Sequence, residues 1–247
     1  MAIAFNAITS TSGYSQSTGF TLSHTTAGSD RALVGVLQLG GATPATQYTS
    51  VAMTYNGVSM TGNSGADITA GNRRTIVFAI LNPASGANNL AVTWGGGGTE
   101  ARLFALSYTG VHQTTGLDAW GENSTSSGTS LAVSTTTTVD QCWLVGGIFV
   151  REGGMGDITI SVGTVRSQDQ TSAAGDNGPL STGSNNMTWG FPSGAAGAGT
   201  TAALVALAPS VAAGPTNLKS WDGNVKANIK SYNTNLIANV KSINTNV

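Results

Sequence analysis

Cysteine is almost missing from this chain. Cys142 stands alone among 247 residues, so no intrachain disulfide can form. It heads the apolar run from Trp143 to Val150, which points to a buried structural thiol. Charge is scarce as well, at 9% of residues against about 25% in ordinary globular chains. Hydroxyls and amides must therefore carry solubility, and such a surface suits packing beside copies or partners. Histidine is limited to His24 and His112, each among Ser and Thr. With no His-x-x-His, no cysteine pair and no glutamate cluster, neither a metal nor a cofactor is expected. No apolar run approaches the roughly 18 residues of a membrane-spanning helix. The first residues, Met1-Ala-Ile-Ala-Phe5, lack the basic segment and long apolar stretch of a signal peptide. The expectation is synthesis in a cytoplasm without general secretory export.

What is abundant is Gly, at 34 residues, together with Ser and Thr: a strand-and-turn composition. The small net charge hides an asymmetry. Six arginines against ten acids leave residues 1–215 at −4, and four lysines against Asp222 leave the rest at +3. An acidic body disfavours nucleic acid as a partner.

The tail repeats itself every eleven residues from Asn217. Leu218, Ile229 and Val240 align, as do Trp221, Tyr232 and Ile243, and Val225, Leu236 and Val247. Apolar offsets of 0, 3 and 7 fit either a right-handed helical repeat or two short strands joined by a turn. Eight Asn in the 32 positions from Thr216 on, with Thr and β-branched residues, favour strands. Asp222-Gly223 sits where the turn would fall. Two repeats and a fragment bury little alone. The apolar positions Leu218, Trp221, Val225, Ile229, Tyr232, Leu236, Val240 and Ile243 are thus expected to complete a core with other chains, as a homotrimeric stem or an anchor on a partner.

Along the body, 2–10 and 17–24 alternate like edge strands. Arg31–Leu39 and Arg74–Leu81 are apolar runs of buried strands. Val51–Tyr55, Asn56-Gly57 and Val58–Thr61 form a hairpin with a type I′ turn, pairing Tyr55 with Val58 and Met53 with Met60. Strands follow at 90–94, 102–111, 131–139, 141–150, 158–165, 187–189 and 201–208. The stretches 112–128 and 167–185 read as polar loops. About ten strands with turns between them predict an all-β protein. Its body is an antiparallel, jelly-roll-like β-sandwich over 1–208, followed by a hinge at 209–216 and a β-repeat stem at 217–247.

The cues Leu33-Val-Gly-Val36, Val51–Val58, Leu81-Asn-Pro-Ala-Ser-Gly86 before Leu90-Ala-Val-Thr-Trp94, Ser107–Asp118 and Ala202–Pro209 recur in a known order. Over most of 30–209 the chain resembles β-sandwich proteins common in bacteriophage and uncultured-microbe genomes. Its tail resembles the Lys-Ser-aromatic-Asn-Gly-Val repeats that end many phage fibre and virion-surface proteins. Only the first repeat keeps the turn glycine, Gly223; Thr234 and Thr245 stand at that position in the later ones. The resemblance implies a non-enzymatic structural protein on the virion surface, of head-fibre, decoration or tail-fibre type, held by its tail to other virion proteins. It implies no catalytic residues.

Enzyme chemistry finds no support in the residues. No Gly-x-Ser-x-Gly elbow is present, and the four glycines 95–98 precede no Gly-Lys-Ser/Thr. Asp118, Glu122, Glu152 and Asp157 are the candidate carboxylates for sugar hydrolysis, but nothing pairs them. Asp169 and Asp176 are a weak suggestion of calcium. Trp120, beside Glu122 in a polar stretch, is the one aromatic placed to stack on a host-surface glycan. Two alternatives stand beside the virion reading: a carbohydrate-binding module of an adhesin, and a subunit of an extracellular filament whose low-charge faces pack together.

Overall fold

The computed structural model describes residues 1–11, 18–96, 100–150, 158–169, 171–192 and 199–210. The eleven-residue repeats, and the predicted hinge beyond Ser210, lie outside them. The first half of the body runs β1 Ala4–Thr11, β2 Gly19–Thr26, β3 Ala32–Gly40, a one-turn helix α1 Pro44–Gln47, β4 Thr49–Tyr55, β5 Val58–Ser59, β6 Thr61–Ala70, β7 Arg73–Leu81, β8 Gly86–Gly95 and β9 Glu100–Thr109. The second half runs β10 Leu117–Thr125, β11 Ser130–Thr137, β12 Cys142–Phe149, β13 Thr159–Ile160, β14 Thr164–Gln168, β15 Ser172–Leu180, β16 Gly183–Gly190 and β17 Thr200–Leu207.

All strand pairs are antiparallel, as the sequence predicts, but the body holds two sandwiches rather than one. The N-terminal sandwich has an inner sheet β1-β9-β3-β7-β6 and an outer sheet β2-β8-β4-β5. The C-terminal sandwich has an inner sheet β10-β17-β12-β15-β14 and an outer sheet β11-β16-β13. Apart from β5, each strand of one half has a counterpart in the other, in the same order. The interleaving is that of a jelly roll.

Three apolar cores separate the four layers. Leu33, Leu37 and Leu39 of β3 face the outer sheet, against Tyr48, Met53, Leu90 and Trp94. Ala32, Val34 and Val36 face the other way, against Val145, Ala203 and Val205 of the second inner sheet. A strand covered on both sides reads as one apolar run, which is why β3 was legible. Leu131, Val133, Met187 and Trp189 close the third core over Leu144, Ile148 and Leu204. Each such side chain buried contributes roughly 1.5–3 kcal/mol.

The duplication extends to single hydrogen bonds. Pairing of β1 with β9 shifts register between Phe5 and Ala7, and β10 with β17 shifts between Leu117 and Ala119. The residues skipped, Asn6 and Asp118, accept the amides of Ala27 (3.2 Å) and Thr138 (2.8 Å), each the first residue after β2 or β11. Thr26 donates to Ala84 O, and its counterpart Thr137 to Ser181 O. Asn88 and Asn185 cap the same turns.

Four sequence readings need correction. The stretch 112–128, a predicted connection, contains edge strand β10. The predicted loop 167–185 contains β15, an interior strand of an inner sheet. Its Ser-Ala-Ala-Gly-Asp-Asn run looks loop-like, yet small residues are required there. A Cβ on Gly175 would lie 2.3 Å from Thr164 O and 2.7 Å from Ile160 Cδ1. The predicted strand 158–165 is two short pieces, β13 and β14, and β6 is a strand that the sequence pattern does not predict. The hairpin stands, with Asn56 and Gly57 at φ 49° and 77°. Tyr55 is buried and Met53 and Met60 join the core, while Val58 is 57% exposed at the sheet margin.

Candidate functional site

The two inner sheets meet across a seam that carries most of the buried charge. Equivalent residues make reciprocal contacts there. Thr75 of β7 hydrogen-bonds Thr201 of β17 at 2.8 Å. Their counterparts, Ser172 of β15 and Arg102 of β9, meet at 3.0 Å. The two halves thus use equivalent positions at this contact. Both β7 and β17 begin at this contact, so the two strands run in the same direction across the seam. The C-terminal ends of β1, β3, β6 and β8, with those of their counterparts β10, β12, β14 and β16, therefore lie at one end of the body. At the other end Val111 bridges Pro209, Ser210 donates to Gly110 O, and the Met1 amino group meets Ser210 O.

Near those strand ends, Arg102 reaches Asp169 at 2.6 Å and Glu100 at 3.0 Å, and Arg73 lies 3.7 Å from Glu100. Both guanidinium groups cover the Phe149 ring, at 4.5 Å for Arg73 and 5.6 Å for Arg102. Gln38 donates to Ile148 O at 2.9 Å across the same seam. Further along the seam, Asp176 accepts from Tyr108 OH at 2.7 Å and from Arg166 Nε at 2.8 Å. Arg166 stacks over Phe5 at 4.0 Å. Burial and the Asp176 carboxylate raise the Tyr108 phenol well above its ordinary range. Each cluster ties one sandwich to the other. Asp169 and Asp176, the calcium suggestion, each face an arginine, and no group of three or more possible metal ligands forms among the described residues.

The remaining candidates are occupied locally. His24 is 1% exposed, with Nδ1 2.9 Å from Thr9 Oγ1 and Nε2 unpartnered; burial lowers its pKa to about 4. His112 accepts from the Thr114 and Thr115 amides and so closes its own turn. Burial first, then the Asp118 carboxylate, push the Cys142 thiol up to about 12, which removes nucleophilic character. Asp118 is engaged by Thr138, and Glu122 accepts the Asp67 amide at 2.7 Å. Glu152 and Asp157 lie outside the described residues. Trp120 is half-buried on β10, its ring packed against the core between the inner sheets. Trp94 and Trp189 are core residues, as their strand patterns indicate. The tail positions Leu218, Trp221, Val225, Ile229, Tyr232, Leu236, Val240 and Ile243 lie outside the described residues.

The seam is built by an internal repeat that is barely legible in the sequence. Its traces are short: Leu33-Val34-Gly35 against Leu144-Val145-Gly146, and Gly86-x-Asn88-Asn89 against Gly183-x-Asn185-Asn186. Comparison with family models, curated proteins and solved structures finds no match.

Proposed function

We propose that this chain is a non-enzymatic structural protein of a bacteriophage-type virion. Its body stands on the particle surface for attachment or stabilisation, and its C-terminal repeats trimerise or anchor it to other virion proteins. The polarity of the body carries this reading. The C-terminal ends of β1, β3, β6 and β8 and of their counterparts lie at one end, and Ser210 lies at the other. A rigid β scaffold with the strand ends of both halves gathered on one side suits the display of loops. Jelly rolls recur in viral capsid and lectin domains, a fold-level analogy that agrees with the reading without carrying it. The acidic body and basic tail fit a tail seated on an acidic surface.

Light scattering on the full chain, beside a chain ending at Pro209, tests the proposal. A trimer that becomes a monomer on truncation is the expected result. Two monomers, together with no binding of the full chain to particles, would remove the anchoring role.

A further inference from the structure

His24 differs from the residue that takes its place in the other half of the body. Thr26 and Thr137 are counterparts, so His24 of β2 corresponds to Thr135 of β11. Both strands lie at the edge of an outer sheet, and both reach the edge strand of an inner sheet. Thr135 donates to Trp120 O on β10 at 3.0 Å. His24 Nδ1 lies 2.9 Å from Thr9 Oγ1 on β1. The same tie between layers is therefore made by a hydroxyl in one half and by a titratable ring in the other.

The surroundings of His24 suit a neutral ring. Its Nε2 is buried and unpartnered. Tyr55 of β4 donates to the His24 backbone oxygen at 2.9 Å, and Asn88 of β8 pairs with His24 in the sheet. None of β1, β2, β4 and β8 contains Asp, Glu, Lys or Arg. Behind β1, strand β9 carries Glu100 and Arg102, which pair with each other in the seam, where Arg73 also faces Glu100. Asp30 and Arg31 follow β2 in the connection to β3, and Arg31 is directed at the Gly28 and Pro83 carbonyls. The strands around the ring thus offer no carboxylate to a proton on it, and a buried charge without a partner is costly. Burial accordingly holds the imidazole at about 4, against 6.5 for a solvated ring.

A second, independent feature is how lightly β2 is held. It pairs with β8 alone, and its inward Phe20 and Leu22 are half-buried at the margin of the second core. Elements with few buried apolar contacts open before the rest of a fold.

We propose that His24 is an acid-sensitive latch: protonation of its ring releases β2 from β1 and opens this edge of the N-terminal sandwich, while the C-terminal sandwich, with Thr135 in the corresponding place, stays closed. Release of β2 takes the charged ring into water and leaves the edge of β8 free to pair with another strand. The latch is a local device, and it does not depend on what the chain is attached to.

Hydrogen exchange on the full chain at pH 7 and pH 5 tests it, with rates corrected for the intrinsic effect of pH. A ring that titrates near 6.5 with β2 released and near 4 with β2 in place raises the opening equilibrium about twentyfold over this interval. Peptides covering 19–26 are expected to lose protection by about that factor, while peptides covering 130–137 keep theirs. In His24→Gln the protection of 19–26 should be the same at both pH values. Equal losses in 19–26 and 130–137 would mean that the whole body loosens, and would overturn the latch. So would the same loss in His24→Gln. Should that variant fold poorly, the native chain still decides through the NMR titration of the His24 ring. A midpoint near 4 is expected, and a midpoint near 6.5 overturns the proposal.

Discussion

His24 shows how one side chain sets a pH limit. Its inward position on β2 leaves Nε2 without a partner, and burial depresses the pKa from 6.5 to about 4. The folded state favours neutral imidazole, while the unfolded chain takes up a proton near pH 6.5. The stabilisation is therefore complete above about pH 6.5, falls as pH drops toward 4, and does not fall further below. A shift of this size corresponds to about 3 kcal/mol across that window. In urea titrations at pH 7, 5 and 4, His24→Gln is expected to flatten this acid limb relative to the native chain. An unchanged limb would assign the loss to carboxylates instead. On β2 the inward positions are Phe20, Leu22, His24 and Thr26; the missing partner of His24 follows only from which neighbours surround it.

At the scale of elements, glycine does two different jobs. Gly57 has φ 77° and open space where a Cβ would be, so Gly57→Ala should cost about 1 kcal/mol through backbone strain alone. Gly146 sits inside β12, where a Cβ would lie 2.2 Å from Ala203 O. Gly146→Ala must push β17 away and should cost more, about 2–3 kcal/mol. Chemical denaturation of both variants checks the order, and equal costs would refute the crowding argument. The hairpin at Asn56-Gly57 was readable because its cause is local. The β15 strand was not, because its small residues answer to neighbouring strands far away in sequence.

For the whole molecule, the seam between inner sheets decides cooperativity. The core there is shared, and Asp176 holds Tyr108 and Arg166 from opposite sandwiches. Asp176→Ala leaves a largely buried guanidinium without its partner and should cost about 3–5 kcal/mol. The native body is expected to melt in a single calorimetric transition, with the variant melting lower. A native body melting in two separate steps would mean that the sandwiches fold independently and the seam is minor.

The sequence by itself determined the all-β class, the antiparallel pairing, the central strands, the Asn-Gly turn and the inert cysteine. All of these rest on periodicity of two, on turn chemistry, or on burial of a continuous apolar run. Tertiary structure alone decided that the body is doubled, that β10 and β15 are strands, and that the C-terminal ends of β1, β3, β6 and β8 and of their counterparts lie at the end opposite Ser210. It also placed the charge in the seam and left the outer sheets neutral. These follow from which strands become neighbours. Two copies of one topology can keep the same hydrogen bonds at their bulges and turns while sharing only a few short sequence matches, since backbone geometry constrains those positions and leaves most others free.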